Sequence, residues 1–455
     1  MRLASLARVG EPVRANLWHS WLPLGLPAGA ARLRVHDSAL VATLEDAGAE
    51  IVASGADAEI GPPGAIGHSS PWVAVPLDAP MTQSRIRAAR LAARAARSAV
   101  VRARARRAVA GLRSAGYEDV FAFTWEPSLA VAPLGRPAPG LLSRFPLRAV
   151  AIGRAAGTPT ILDEAVRDAS IGEPRSLRAK GGLAFAFGND AVLRVAVGPG
   201  RHKLAGQRAA LELLGSLAPP ASVAERLPQQ LGSGQAGLGF WTSERRLEGA
   251  PPPRSTPALL DECVEFLADL WSAGRGAVAA SRSLRPHAEQ IAAACGGEAA
   301  GRVVALAAET EGALADLPRG FAHGDFGLPN LFVSEGSLSG VADWEAAGAG
   351  ALPFLDLFQL LVELELRERE GIGAGFTRIL LPLVAAGGGP RVTEYASLVG
   401  VPLTPERLRA LAIAYWLELI GYALATYDRG ERRQRRFVAE NVDGPLRALT
   451  ASGWI

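Results

Sequence analysis

One stretch restricts the fold of this chain more than any other. It reads Phe321-Ala-His-Gly-Asp-Phe-Gly-Leu-Pro-Asn-Leu-Phe-Val333, then Val341-Ala-Asp-Trp-Glu345. From Pro257 to the end, the surrounding pattern is otherwise mainly helical. Pro329 lacks an amide hydrogen and disfavours helix, so this stretch is expected to be a loop. Leu331–Val333 and Leu338–Ala342 read as two short strands joined by a turn at Glu335–Ser337. Such a hairpin returns the chain so that Asp343 comes close to Asn330.

The residue types in this patch have a specific chemical use. Phosphoryl transfer to an alcohol needs a carboxylate to orient the hydroxyl and accept its proton, and oxygen ligands to hold Mg²⁺ against phosphates. Asp325 and Asn330 are separated by four residues, the base-to-metal-ligand spacing of a kinase catalytic loop. One amide oxygen and one carboxylate, from Asn330 and Asp343, suit Mg²⁺, which keeps several waters. Asp, Asn, Gly and Pro also cluster in ordinary turns. An ordinary turn does not account for a histidine, a base, an amide and a second acid at these separations ahead of a helical region.

Composition bounds the rest. At 455 residues the chain has room for two to three domains. It is 49% apolar and 20% charged, which is a folded rather than a disordered composition. A net charge of +3 gives no whole-chain argument for a nucleic-acid partner. Nearly all the basic residues are arginine, with only Lys180 and Lys203 as lysines. Cys263 and Cys295 lie far apart without a metal spacing, so neither a disulfide framework nor a zinc site is expected. The N-terminus shows no apolar signal core, and the windows Gly371–Gly388 and Leu408–Tyr427 read as buried helices rather than membrane spans. A cytoplasmic setting, where ATP is available, is the expectation.

Three regions are expected: an α/β domain over 1–165, a strand-rich lobe over 166–250 and a helical lobe over 251–455. In the first, Arg32–His36, Ala49–Ala53, Trp72–Leu77 and Asp119–Thr124 read as strands, with a helix running on from Asp37 or Ser38 through Asp46. Ser84–Ala115 reads as one long helix with ten arginines and no acid. That is either a solvated face or a patch for an anionic partner. Lys203–Leu217 reads as a helix in the second region, ended by Pro219 and Pro220.

His323-Gly-Asp-Phe-Gly-Leu-Pro-Asn330 with Asp343-Trp-Glu345 resembles the aminoglycoside phosphotransferase and choline kinase family, over roughly 170–455. The resemblance implies an α+β, two-lobed protein-kinase-like phosphotransferase fold, here preceded by the small α/β domain. It implies ATP with Mg²⁺ and transfer of the γ-phosphoryl group to a small alcohol. Matched residue by residue, Asp325 is the catalytic base, His323 supports its loop, Asn330 and Asp343 are metal ligands, and Asp356 braces the catalytic loop. The tail Tyr415–Leu449 also looks like the end of bacterial members, with Asn441-Val-Asp-Gly-Pro-Leu446 as a helix ending.

The strand-rich lobe follows this pattern less closely. Lys180-Gly181-Gly182 reads either as a glycine-rich turn over the phosphates or as an ordinary hairpin. Arg194 stands where the family expects a lysine, and arginine is not a simple substitute. On the next helix Gln207 shares the apolar face, and Glu212, the nearest acid, points about a third of a turn away. The inter-lobe linker is expected near Ser243–Leu247. Two readings therefore stand: an active small-molecule kinase, or a nucleotide-binding pseudokinase that docks a partner through residues 1–165. Leu112–Pro127 also faintly resembles the last helix and strand of class I methyltransferases, although no glycine loop for a nucleoside cofactor precedes it. The acceptor, whether aminoglycoside, choline, sugar or glycan precursor, is not legible. Glu363, Glu365, Glu418, Trp416 and Tyr422 are acids and aromatics available for a cation, or simply core and surface.

Overall fold

Alternating apolar residues in the N-terminal half do form strands, and these join one sheet. The computed structural model describes residues 21–62, 65–66, 70–78, 87–125, 130–133, 148–155, 157–180, 183–276, 282–366, 371–426 and 431–455. Two units divide the chain: one runs up to Leu204 and adds Gln229–Arg246, and the other holds Ala205–Pro228 and Leu247–Ile455.

In the first unit the described strands are β1 (Arg32–Val35), β2 (Glu50–Ile51), β3 (Ala58–Ile60), β4 (Trp72–Asp78), β5 (Asp119–Trp125), β6 (Ala130–Pro133), β7 (Arg148–Arg154), β8 (Ser176–Lys180), β9 (Leu183–Phe187), β10 (Ala191–Val197), β11 (Gln230–Ala236) and β12 (Gly239–Arg245). They lie side by side in the order β11-β12-β10-β9-β8-β6-β5-β7-β4-β3-β1-β2. β1 pairs in parallel with β2 and β3, and β3 with β4. β7 runs antiparallel between β4 and β5. Pairing of β6 with β8, Ala130 opposite Arg178 and Val131 opposite Leu177, makes the sheet continuous.

The arginine-rich helix spans Arg87–Ser114. Its Val101, Ala105, Ala108 and Leu112 recur at helical spacing and pack on Val73, Ala149 and Ala151 of the sheet. Arg104, Arg106, Arg107 and Arg113 are exposed. A second helix, Ile161–Asp168, starts with a capping box between Thr160 and Asp163, which the Gly-, Ala- and Pro-rich surroundings concealed. β12 runs on to Arg245, so of the linker expected near Ser243–Leu247 only Arg246 and Leu247 lie outside the strand.

The second unit is helical around one core that includes Phe266, Trp271, Phe326, Trp344, Phe358 and Trp416. Gly320–Ala322 pairs antiparallel with Gly348–Ala351, and Leu331–Ser334 pairs with Ser337–Val341. The expected hairpin is thus present. Glu335 and Gly336 both have positive φ at its tip, as a tight hairpin turn requires. The helix Pro405–Thr426 is long and apolar enough to cross a membrane, but 72% of its most apolar window is buried in this core.

Asn441 to Leu446 is not a helix ending. Ala439–Asp443 forms a widened π turn between the helices Glu431–Val438 and Gly444–Ala451. Asn441 explains the difference. Its Oδ1 accepts the Gly373 N–H at 2.7 Å, its Nδ2 donates to the Phe437 carbonyl at 2.8 Å, and its own carbonyl accepts the Trp416 indole at 2.9 Å. These buried bonds outweigh the local tendency of Asp-Gly-Pro to stop a helix.

Candidate active site

The loop after Gly320–Ala322 is held from below by a carboxylate. Asp356, in the first turn of the helix Leu355–Glu365, accepts the His323 N–H at 2.6 Å and the Gly324 N–H at 2.8 Å. Charged acceptors of this kind make the stronger hydrogen bonds. Gly324 has φ +80, and a Cβ there would lie 2.6 Å from the Ala346 carbonyl oxygen, so only glycine fits the turn. His323 is fully buried. Its Nδ1 accepts the Asp325 N–H at 3.2 Å and its Nε2 donates to the Ala342 carbonyl at 2.9 Å. That pattern assigns a neutral ring protonated at Nε2. The ring also stands edge-on to Trp344, with centroids 4.6 Å apart.

Asp325 is exposed at the end of this support. Asn330 Nδ2 donates to the Asp325 carbonyl at 2.9 Å and to its Oδ2 at 3.1 Å. The amide nitrogen is therefore used internally, and the amide oxygen is left as an acceptor. The Ala342 N–H donates to the Asn330 carbonyl at 2.8 Å, which brings the residue before Asp343 against Asn330. Asp343 itself adopts a left-handed backbone, φ 63 and ψ 54. A non-glycine residue held there costs about 1–3 kcal/mol and persists only where its surroundings enforce it. Trp344 does so, fully buried and donating its indole N–H to the Val341 carbonyl at 2.7 Å.

The donor set fits Mg²⁺: a hard carboxylate and an amide oxygen, on adjoining segments. Among the described residues no group of three or more His, Cys, Asp or Glu could hold a metal by itself. An ion here would take its other ligands from phosphate and water.

An open cleft adjoins the loop, lined by Ala322 and Gly324 and by residues of the helices Arg285–Cys295, Leu355–Glu365 and Pro405–Thr426. Within it the Tyr415 hydroxyl donates to Gln359 Oε1 at 2.9 Å, and Gln359 Nε2 donates to Glu363 at 2.7 Å. Burial raises the Glu363 carboxyl above the usual range; the Gln359 bond opposes this and the Asp325 charge adds to it. Of the acids and aromatics singled out in the sequence, Glu418 and Tyr422 line the cleft, whereas Trp416 is core and Glu365 is exposed.

A model of the phosphotransferase enzyme family, APH, matches residues 183–395. The match takes in 213 of the 455 residues, a little under half of the chain. The match begins at β9 and takes in the catalytic-type loop, the hairpin and Asp356. The matched stretch is α+β, strands first and then mostly helices, as the family resemblance implied. No curated protein matches the chain. Among solved structures it is similar to the aminoglycoside phosphotransferase APH(3'')-Id from Streptomyces rimosus in complex with ADP and streptomycin. That match has 17% identity and a TM-score of 0.38, covering 52% of this chain and 89% of that one. It is also similar to the choline kinase LicA from Streptococcus pneumoniae, at 17% identity and a TM-score of 0.41, over 65% and 98% of the two chains. The ADP-bound aminoglycoside phosphotransferase APH(2'')-Ib gives 14% identity and a TM-score of 0.42, over 63% and 98%.

The residues expected from sequence to grip a nucleotide are placed as follows. Arg194 on β10 is buried, and its Nη2 contacts Glu244 on β12 at 2.8 Å. Glu244 was missed because a cross-strand pair depends on register, and Arg194 stands opposite Thr242, two residues away. Gln207 is buried on the helix Gly200–Ser216. Glu212 on the same helix is exposed and pairs with Arg208 at 2.6 Å. Gly181 and Gly182 lie outside the described residues; β8 and β9 flank them, with Lys180 opposite Leu183.

Proposed function

We propose that this chain transfers the γ-phosphoryl group of ATP to a hydroxyl of a small molecule. The observation that carries the reading is the construction of Asp325. Its carboxylate is exposed beside the cleft, while its backbone and side chain are fixed by His323 and Asn330. A base must be held still and remain reachable, and this one is both.

An acceptor in the cleft presents its hydroxyl to Asp325, which orients it and takes its proton. The acceptor oxygen forms a bond to the γ-phosphorus as the bond to the β,γ-bridging oxygen breaks. ADP leaves, and the proton passes from Asp325 to solvent. Asn330 and Asp343 would hold Mg²⁺, which when bound neutralises charge on the phosphates.

The test is ATP binding and slow ATP hydrolysis by the purified chain, with and without Mg²⁺. Asp325→Ala is expected to lower turnover by about 10²–10⁴-fold while leaving ATP affinity within a few fold. Absence of ATP binding at millimolar concentration overturns this reading in favour of the pseudokinase, with the buried Arg194–Glu244 pair as the mark of a site no longer used for phosphate.

A further inference from the structure

Two opposite charges line the cleft without neutralising each other. Arg282 donates its backbone N–H to the Gly350 carbonyl at 2.9 Å and its Nε to the Ala349 carbonyl at 3.2 Å. Those bonds pin it to the strand Gly348–Ala351. Its two terminal nitrogens make no hydrogen bond to any described residue, and no described carboxylate oxygen lies within 4.0 Å of them. Glu418, from the helix Pro405–Thr426, likewise accepts no hydrogen bond from a described residue.

Each charge feels both burial and the other. Burial lowers the Arg282 guanidinium below its usual range, opposed by the charges of Glu418 and Asp356. Burial raises the Glu418 carboxyl, opposed by Arg282 and Arg319. Both side chains are only partly buried. An occupant that covers them strips their water, which is costly unless it supplies the opposite charge to each, so the cleft is matched by an occupant that brings both.

Among the described lining residues there is no further free charge, although Arg319, outside the lining, acts on Glu418 as well. Asp356 is committed to two loop N–H groups. His287 is pushed down to about 4 by burial and by the Arg282 charge, so it is neutral near pH 7. Tyr415 and Gln359 are bonded to each other. A polycationic acceptor would meet the Arg282 guanidinium, and a neutral sugar would leave both charges without partners.

We propose, resting on the phosphotransfer reading above, that the acceptor is a zwitterionic alcohol. Its anionic group sits on Arg282, its ammonium on Glu418, and its hydroxyl at Asp325. Arg282 and Glu418 are thus specificity residues for the reaction.

The experiment uses the full chain with ATP and Mg²⁺ and a matched set of acceptors. L-Homoserine carries both charges, 4-hydroxybutanoate only the anion and 3-aminopropan-1-ol only the cation, on similar carbon chains. L-Serine and carnitine extend the zwitterions in size; choline and streptomycin represent cations. Phosphorylated product and ADP are measured. At least one zwitterion is expected to exceed its single-charge analogues by on the order of 100-fold in kcat/KM. Arg282→Gln is expected to raise KM for that zwitterion at least about tenfold with little change in kcat, and to narrow its advantage over 3-aminopropan-1-ol. Glu418→Gln is expected to narrow the advantage over 4-hydroxybutanoate instead. The wild-type acceptor panel decides the matter even if either variant melts early. Equal use of single-charge alcohols, or use of choline or streptomycin but of no zwitterion, overturns the proposal. So does Asp325-dependent ATP hydrolysis that no zwitterion stimulates, and in all these cases the phosphotransfer reading survives. Loss of ATP binding itself defeats that reading as well.

Discussion

At the residue scale, the site depends on a few groups held by specific partners. Asp356 is nearly buried and fastens two consecutive N–H groups of the loop. Asp356→Asn retains only one strong acceptor, and the variant is expected to lose about 2–3 kcal/mol, read as a lower urea midpoint at unchanged slope. A wild-type midpoint would mean that the loop is positioned by other contacts. His287 gives a pH signature. Its folded pKa near 4 is below the ordinary value of about 6.5, so the folded state favours the neutral ring. The associated stability is present above about pH 6.5 and is lost as pH falls towards 4, by about 2 kcal/mol after allowing for partial exposure. His287→Gln should therefore show a flatter stability profile between pH 7 and 4.5; an unchanged profile would contradict the neutral assignment. Asp325, Asn330 and Asp343 could be read directly from sequence because a loop, a proline and a short hairpin place them with little help from distant chain. Glu244 and the placement of Arg282 could not. Their partners lie 50 residues or more away along the chain, and neither spacing nor composition encodes such contacts.

At the element scale, periodicity gave the helices and strands near the site to within a few residues. The hairpin Leu331–Ser334 with Ser337–Val341 is the clearest case. Helix packing was less accessible. Gly421 lies where the helix Pro405–Thr426 passes Arg285–Cys295, and a Cβ there would stand 2.5 Å from the His287 Cβ. Gly421→Ala should force the two helices apart at a cost of about 1–3 kcal/mol. Because His287 lines the cleft, the same variant is expected to raise the acceptor KM more than it changes kcat; a change in stability alone would show that the cleft adapts. The π turn at Ala439–Asp443 was misread for a related reason. Its sequence resembles a stop signal, and the bonds that keep the helix going come from Gly373 and Trp416, far along the chain.

At the scale of the whole molecule, the order of strand-rich and helical stretches was legible, as was the position of the chemically dense loop. The pairing of strands was not, because alternation shows which side chains share a face and not which neighbour a strand will choose. That gap matters most at β6 and β8. The family match covers only residues 183–395, which invites truncating the chain ahead of it. A fragment beginning at residue 166 would keep β8 but lose β6, and the backbone groups of Ser176–Lys180 that face β6 would become an open edge. Exposed edges recruit other strands, so the fragment is expected to self-associate on size exclusion where the full chain does not. A well-behaved monomeric fragment would show that this edge is protected by other means. If the prediction holds, the catalytic part cannot be lifted out and moved as a cassette, and whatever the first 165 residues once did on their own, they now serve as its selvedge.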